Sequence, residues 1–195
     1  DFDPLKQEPD VDLVFVRSGQ TLPTDAALVI LPGSKATIAD LAALREAGWD
    51  RALATHVANG GRVLGICGGY QMMGRTVADP NGIEGPPAKV AGLGLLPVDT
   101  VLEGDKQLVE IAGETAGKVP FKGYEMHVGR TSGAAEPMLR FADGRSDGAV
   151  VDGGRLAGCY VHGLFADDRQ RREWLTRIGA AASDLSYEAG VEATL

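Results

Sequence analysis

The 195-residue sequence has few cysteines, few histidines and no long apolar run. No stretch approaches the roughly 18 apolar residues of a membrane-spanning helix, so we expect no membrane span. Two cysteines are too few for a disulfide framework and favour a reducing compartment, which we take to be the cytoplasm. The cysteines and the three histidines lack metal-ligand spacing, so no metal site is expected. The net charge of −8, with no basic cluster, argues against nucleic acid or an anionic membrane as a partner.

What the sequence does contain is enough apolar material for one core. Hydrophobic residues make up 44% of the chain, and its length corresponds to about one domain. Residues Asp1–Asp10 are polar, hold two prolines and lack an initiator Met, which is typical of a linker. We therefore expect a fragment of a longer protein, in which residues 1–10 are a linker remnant and residues 11–195 form one domain.

Short apolar runs alternate with amphipathic stretches along the first half of the chain. The runs Val11–Val16, Ala27–Leu31 and Val63–Ile66 predict buried strands. Ile38, Leu41 and Leu44 form a helical stripe, and Asp50–Ala58 predicts a second helix that ends at a glycine pair. This alternation predicts an α/β fold with a mostly parallel sheet and helices on both faces.

The second half of the chain has a different pattern. Val90–Thr100 is expected to be extended, and Ala149–Val151 is expected to pair with Arg155–Val161 across a glycine turn. Asp167 has the position of an N-cap for a last helix. We therefore predict that antiparallel strands are added to the parallel sheet of a single α/β domain.

The most specific motif is Gly65-Ile66-Cys67-Gly68-Gly69, which directly follows an apolar run. It has the spacing of a nucleophile elbow, the sharp turn from strand to helix that exposes a strained nucleophile. Glycines beside the turn let neighbouring backbones pass closely, and a helix N-terminus favours the thiolate form of a cysteine. We predict that Cys67 is a catalytic nucleophile. Cys159 lies within a predicted strand and is expected to be a buried small hydrophobe.

A cysteine nucleophile needs a base, and the sequence offers three histidines. His162 directly follows the predicted strand that ends at Val161, and open α/β sheets gather their sites at the carboxyl ends of strands. We favour His162 as the base, with His127 in second place. His56 lies near the end of a predicted helix, where a structural role is more common.

Two other glycine-containing segments differ in their interpretation. Pro32-Gly33-Ser34 follows a strand and begins a helix, so its free backbone N–H groups point outward. We predict that the N–H groups of Gly33 and Gly68 form an oxyanion hole beside Cys67.

Gly113–Val119 resembles a phosphate-binding loop, but its spacing is one residue short and Pro120 blocks the helix that must follow. No nucleotide site is predicted there.

Gly65–Gly74, together with Leu31-Pro32-Gly33-Ser34-Lys35, resembles the class I (triad) glutamine amidotransferases. Within this class, Gly92–Leu96, Gly123–Thr131 and Tyr160–Phe165 are similar to the glutaminase domain of the cobyric acid synthases. The similarity extends through nearly the whole chain. It implies the flavodoxin-like α/β fold of the class I amidotransferases.

The resemblance also implies roles for individual residues. Cys67 would be the thiolate nucleophile and His162 the general base; Gly33 and Gly68 would supply the oxyanion hole. Gln71 would help to shape the glutamine pocket. Many class I members have a glutamate two residues after the catalytic histidine, which orients it. This sequence has leucine there, as the cobyric acid synthase branch does, so the resemblance supplies no orienting residue.

The implied activity needs more than this chain. Members of the family use ATP and ammonia from glutamine to amidate four carboxylates of adenosylcobyrinic acid a,c-diamide during cobalamin synthesis. The resemblance implies that residues 1–10 follow an N-terminal synthetase domain of the same polypeptide. ATP, Mg²⁺ and the corrinoid substrate would bind to that domain. Glutamine would be the substrate here, and residues 11–195 are expected to hold no cofactor.

Three alternatives remain open at the level of the sequence. A stand-alone glutaminase subunit of a cell-wall amidating ligase has a similar elbow, although Gly123-Tyr124-Glu125-Met126-His127 favours cobyric acid synthase. A cysteine variant of the α/β-hydrolase fold shares the elbow and would act on esters. A non-catalytic binding module would contain an inert or redox-sensing cysteine.

Overall fold

Three β-sheets organise the part of the chain described by the computed structural model, residues 1–105, 108–181 and 183–187. The helices are α1 Asp3–Lys6, α2 Thr37–Glu46, α3 Trp49–Ala58, α4 Gly68–Met73 and α5 Asp168–Arg177. The strands are β1 Leu28–Leu31, β2 Arg62–Ile66, β3 Thr76–Asp79, β4 Ala88–Ala91, β5 Val98–Val101, β6 Val109–Thr115, β7 Pro120–Glu125, β8 Arg130–Gly133, β9 Leu139–Phe141, β10 Ser146–Asp147, β11 Ala149–Val151, β12 Leu156–Cys159 and β13 Val161–His162.

The central sheet has the strand order β1-β2-β12-β11. Strands β1, β2 and β12 are parallel, and β11 is the antiparallel partner of β12, as the hairpin prediction required. Leu31 is paired with Gly65, and Cys159 is paired with Ile66. Since parallel strands end at the same edge of a sheet, the segments that follow β1, β2 and β12 all leave the sheet close together.

The other two sheets supply the added antiparallel strands. One has the order β10-β9-β6-β7-β13 and is antiparallel throughout. The other has the order β4-β3-β5-β8, in which only β3 and β5 are parallel. The chain leaves the central sheet after Cys159 and enters the antiparallel sheet at Val161. This switch of sheets places His162 opposite Tyr124 of β7.

The apolar core lies between the sheets and their helices. Leu64 and Ile66 of β2 and Met73 of α4 are at most 1% exposed. Burying each such side chain contributes about 1.5–3 kcal/mol to the free energy of unfolding. Helix α5 starts at the predicted N-cap, since the Asp167 carboxylate accepts hydrogen bonds from the N–H groups of Arg169 and Gln170.

The run Val11–Val16 was predicted to be a buried strand, and that prediction is wrong. The segment forms no strand, and Val14 and Phe15 are more than half exposed. An apolar run becomes a strand only where a neighbouring strand pairs with its backbone, and hydrophobicity alone does not specify that partner. Val11 and Leu13 still pack against the core.

Residues 1–10, predicted to be a linker remnant, are packed onto the domain. Leu5 is buried, and Nε of Arg171 in α5 lies 2.5 Å from Oε1 of Glu8. Both of these charged side chains are at most 1% exposed. Burial opposes ionisation of Glu8, but hydrogen bonds from its neighbours, including Arg171, lower the pKa of the carboxyl group overall. Whatever their origin, these residues belong to the folded structure.

The segment that resembles a phosphate-binding loop is part of a β-hairpin. Residues 113–115 belong to β6 and β7 begins at Pro120, so Lys118 lies in the connecting turn. A phosphate-binding loop must lead into a helix, and this one leads into a strand. The segment therefore does not fit ATP.

Within the described residues, no helix has the length and apolar character needed to cross a membrane.

Candidate active site

Cys67 occupies the turn between β2 and α4 and has φ 52° and ψ −112°, a strained backbone for a residue other than glycine. The flanking positions must be glycine, because a side chain there would clash with the neighbouring backbone. A Cβ atom at Gly65 would lie 2.7 Å from the backbone of Tyr70, and one at Gly69 would collide with the carbonyl group of Leu31. The predicted elbow is therefore present in the structure, with glycines at the positions of close backbone approach.

His162 and Gly33 lie beside Cys67. A Cβ atom built on Gly33 would be 3.1 Å from Cε1 of His162, 3.9 Å from its Nε2 and 3.7 Å from Cβ of Cys67. The side chains of the predicted nucleophile and base therefore flank the same glycine backbone. Although 95 residues separate Cys67 from His162 in the sequence (162 minus 67), the structure brings them together. The two side chains are neighbours, although Sγ of Cys67 and Nε2 of His162 share no hydrogen bond in this structure.

The two ring nitrogens of His162 have different surroundings. Nδ1 lies 2.8 Å from Oδ2 of Asp1, while Oδ1 of Asp1 accepts a hydrogen bond of 2.9 Å from the N–H group of Gly163. Nε2 is buried and has no hydrogen-bond partner among the described residues. Leu164, which stands where many class I members have a glutamate, is 1% exposed and belongs to the core.

Gly68, the second predicted oxyanion donor, is the first residue of α4. The N–H group at this position has no acceptor within its own helix. Its backbone lies against the turn after β1, since a Cβ atom at Gly68 would be 2.7 Å from the backbone nitrogen of Ser34. Gly33 and Gly68 therefore come from adjoining turns at the same sheet edge, next to Cys67. Their role as oxyanion donors stays a prediction.

The end of β7 and the segment that follows it cover one side of the site. The carbonyl oxygen of Met126 lies 3.7 Å from Sγ of Cys67. The ring of Tyr124 stacks on the ring of His162 at 5.2 Å between centroids, with an interplanar angle of 11°. The motif Gly123–Thr131, which carried much of the family resemblance, thus contacts both the predicted nucleophile and the predicted base.

Gln71 is buried, and its side-chain amide is held by three other segments. Nε2 donates to the carbonyl oxygen of Val128 (2.8 Å) and to the hydroxyl group of Tyr160 (3.2 Å). Oε1 accepts from the hydroxyl group of Thr37 at 3.0 Å. Burial raises the pKa of Tyr160 to about 12, so its phenol stays protonated at neutral pH. These contacts make Gln71 a support for the wall of the site, and contact with glutamine stays a prediction.

The other two histidines lie in different surroundings. His56, in the last turn of α3, has Nε2 at 3.0 Å from the carbonyl oxygen of Arg62, which is the structural role predicted for it. His127 follows β7 and stacks on the ring of Tyr160 at 3.6 Å between centroids. Burial lowers the pKa of His127, opposed by the nearby charge of Glu125. A stacked, neutral His127 contributes to the wall of the site.

The two cysteines differ in accessibility. Cys159 is 0% exposed, and burial raises the pKa of its thiol well above the usual value. It is a buried residue of β12, as predicted. Cys67 is 7% exposed and lies at the strained turn. A thiol that cannot reach solvent or ionise reacts slowly with electrophiles, because the thiolate is the reacting species.

We therefore expect a glutamine analogue with an electrophilic carbon to label Cys67 and to leave Cys159 unmodified. The ratio of adducts should exceed about tenfold in the folded protein, because only Cys67 is placed to react. Peptide mass mapping after labelling measures the ratio. Labelling after denaturation is the control, in which both cysteines should react. An adduct found mainly on Cys159 in the folded protein would contradict the assignment.

A cavity of about 740 Å³ lies next to this site and reaches only its predicted oxyanion residue Gly33. Its walls are formed by the segment 10–16, strand β1 and helix residues such as Trp174, and they extend to Gly33 and Ser34. Neither Cys67 nor His162 lines it. The apolar cavity therefore lies beside β1 and the unpaired segment 10–16, whereas the predicted nucleophile and base lie at the carboxyl edge of the central sheet.

Sequence reasoning missed three side chains that surround the predicted pair. Asp1 was assigned to a linker, and neither Tyr124 nor Tyr160 was named as part of the site. Asp1 is 161 residues from His162, and no local pattern signals a contact at that separation. The aromatic residues could have been found, since each lies in a motif that already contained a candidate histidine.

Comparisons with known proteins were consistent with this geometry. Residues 1–170 match the model of the CobB/CobQ-like glutamine amidotransferase domain. Among curated relatives, cobyric acid synthase from Bradyrhizobium sp. strain BTAi1 is 63% identical, and that from Methylorubrum populi is 59% identical. Both alignments cover 100% of this chain, which spans 40% and 41% of the length of the relatives.

Solved structures support the fold. A structure titled as a glutamine amidotransferase matches with a TM-score of 0.57 and 22% identity, covering 79% of this chain and 80% of its own. The structure of PurLQS from Thermotoga maritima matches with a TM-score of 0.59 and 16% identity, covering 91% and 89%. The predicted class I amidotransferase-like α/β fold is confirmed.

Proposed function

The chain belongs to the CobB/CobQ-like glutamine amidotransferase domain family, and on this premise we propose that it is the glutamine-hydrolysing domain of a cobyric acid synthase. The single observation that carries the proposal is the placement of Cys67 and His162 next to one another at Gly33, with Nε2 of His162 buried and unpartnered among the described residues. The identity of 63% and 59% to cobyric acid synthases supports the choice within the family.

In the proposed reaction, Sγ of Cys67 attacks the side-chain amide carbon of glutamine. Nε2 of His162 accepts the thiol proton and then gives it to the departing nitrogen, which leaves as ammonia. The N–H groups of Gly33 and Gly68 stabilise the tetrahedral oxyanion, each contributing about 3 kcal/mol to the lowering of the barrier. A thioester between Cys67 and the glutamyl group remains.

Hydrolysis of the thioester completes the cycle. His162 takes a proton from water, the resulting hydroxide adds to the thioester carbon, and the Cys67 sulfur departs and takes that proton back from His162 as glutamate is formed. Cys67 has a positive φ at the elbow turn, which is the position where this type of motif presents its nucleophile. The mechanism therefore uses one nucleophile, one base and two backbone donors of this chain.

The amidation itself is assigned to residues outside this chain. The hairpin that contains Gly113 and Lys118 does not fit ATP, so ATP and Mg²⁺ would bind to the synthetase domain that the resemblance implies. Ammonia released at Cys67 would there amidate adenosylcobyrinic acid a,c-diamide. The length of the relatives supports a second domain, since this chain spans 40% of the length of the Bradyrhizobium cobyric acid synthase.

Isotope transfer tests the whole proposal. The complete polypeptide that contains this chain is incubated with glutamine labelled with ¹⁵N at the amide, ATP, Mg²⁺ and adenosylcobyrinic acid a,c-diamide. We expect glutamate to accumulate and up to four labelled nitrogens to appear in the corrinoid by mass spectrometry. Glutamate formation without corrinoid labelling would contradict the choice of substrate. Labelling of a cell-wall precursor instead would favour the cell-wall ligase alternative.

A further inference from the structure

The first residue of the sequence makes a two-point contact at the base of the site. One carboxylate oxygen of Asp1 lies 2.8 Å from Nδ1 of His162, and the other accepts the N–H group of the next residue, Gly163, at 2.9 Å. The two side chains of the pair are 17% and 10% exposed. Because both oxygens are engaged, the carboxylate is fixed in angle as well as in distance. We propose that Asp1 is the positioning residue for His162.

Charge and hydrogen-bonding capacity explain what the contact does. A carboxylate only accepts hydrogen bonds, so its neighbour Nδ1 must carry the proton of the neutral imidazole. Nε2 then has the free lone pair that must accept the thiol proton of Cys67. When it does so, the imidazolium that forms lies against the carboxylate of Asp1, which stabilises it. This inference rests on the proposed function, because it assigns a role in the same reaction.

Other groups around His162 do not provide this interaction. Tyr124 stacks on its ring, and the backbone of Gly33 faces its Cε1 edge. Leu164, where a glutamate would orient the histidine in many class I members, is apolar and buried. Among the residues that the structure describes, Asp1 is the acidic group paired with His162. The carboxylate that contacts His162 thus comes from Asp1, 161 residues earlier in the sequence, and not from the residues next to His162.

The segment that presents Asp1 is held in place by its own contacts. The ring of Phe2 packs against Phe165 at 6.2 Å between centroids, and Leu5 is buried in the core. Glu8 forms the buried ion pair with Arg171. A flexible surface pair contributes little because ordering two side chains costs entropy. Here the anchored segment has already ordered the carboxylate, so the contact with His162 is preorganised.

Replacing Asp1 by asparagine separates positioning from packing. Asparagine has nearly the same shape, but an NH2 donor replaces one of the two accepting oxygens, so either the contact with Nδ1 or the contact with the N–H group of Gly163 is lost. In the complete polypeptide, Asp1→Asn should lower kcat for glutamine hydrolysis by roughly 10²- to 10⁴-fold, with KM and the melting temperature nearly unchanged. Asp1→Glu keeps the charge and should retain more activity than Asp1→Asn.

Asp3→Asn is the matched control, because Asp3 lies on the same segment but is paired with Lys6 on the surface. It should leave kcat at the wild-type value.

A second measurement does not need glutaminase turnover: the rate of alkylation of Cys67 by iodoacetamide as a function of pH. Asp1→Asn should shift this profile, since it destabilises the imidazolium that accompanies the thiolate, and Asp3→Asn should not.

Two results would overturn the proposal. One is wild-type kcat in Asp1→Asn; the other is a loss of kcat that follows a lower melting temperature, with an unchanged alkylation profile. Failure of the proposed function gives a different result. The wild-type protein would then not hydrolyse glutamine at all, while the alkylation profiles of the Asp1 variants would still show whether the carboxylate acts on His162.

Discussion

Cys67→Ala in the complete polypeptide should stop glutamine-dependent amidation and leave amidation by added ammonium salt largely intact. We expect the glutamine reaction to fall by at least about 10³-fold, because the nucleophile that forms the thioester is removed. The ammonia reaction should change by less than about twofold, since activation of the carboxylate belongs to another domain in the proposed function. Product formation is measured by mass spectrometry with each nitrogen source, alongside a melting curve.

Cys159→Ala is the matched control for this experiment. Cys159 is fully buried in β12, so the substitution leaves a small cavity and should lower the free energy of unfolding by about 1–2 kcal/mol. Glutamine-dependent activity should persist below the melting temperature. If Cys67 were only a packing residue, Cys67→Ala would lower the melting temperature, and amidation with glutamine and with ammonium salt would fail together once the protein unfolds. Loss of the ammonia reaction at an unchanged melting temperature would contradict the division of labour between domains.

His162→Ala should reduce glutamine hydrolysis by roughly 10²- to 10⁴-fold, the range expected when a general base is removed. The loss should appear in kcat and exceed what a small decrease in melting temperature explains, because the substitution removes the contact of Nδ1 with Asp1 and the stacking on Tyr124 as well as the base. Initial rates of glutamate formation at saturating glutamine measure it. Ammonia-driven amidation should continue, as in Cys67→Ala.

His56→Ala controls for the general effect of replacing a histidine by alanine. His56 loses a hydrogen bond to the carbonyl oxygen of Arg62, which should cost about 1 kcal/mol of stability, while kcat stays at the wild-type value. Equal losses of activity in the two variants would mean that destabilisation, not base chemistry, is being measured. In that case His162 would have to be abandoned as the base.

Several features of the site could be predicted from the sequence because their physical signals are local. The elbow at Cys67 is such a signal, since glycines at fixed spacing are needed where one backbone passes another within contact distance. The hairpin between β11 and β12 and the N-cap at Asp167 are others, because turn and capping chemistry depend on residues only a few positions apart. His162 was identified by its position directly after a predicted strand.

Other features could not be predicted because they depend on pairing across long separations. The apolar run Val11–Val16 has the composition of a strand, yet no strand edge pairs with it, so it stays irregular and partly exposed. The acidic, proline-containing residues 1–10 have the composition of a linker, yet burial of Leu5 and the ion pair between Glu8 and Arg171 hold them on the domain.

The α/β class and the choice of Cys67 and His162 as the predicted nucleophile and base follow from the sequence alone, because each rests on residue types and periodicities that act over a few positions. Only the tertiary structure decided how the base is surrounded. The parallel register of β1, β2 and β12 brings three loops to one edge, and the passage from β12 to β13 turns His162 toward Cys67 and Gly33. Packing of residues 1–10 then delivers the Asp1 carboxylate to Nδ1 of His162 across 161 positions. Contacts of that kind are selected by the packing of the whole chain, which no local pattern encodes.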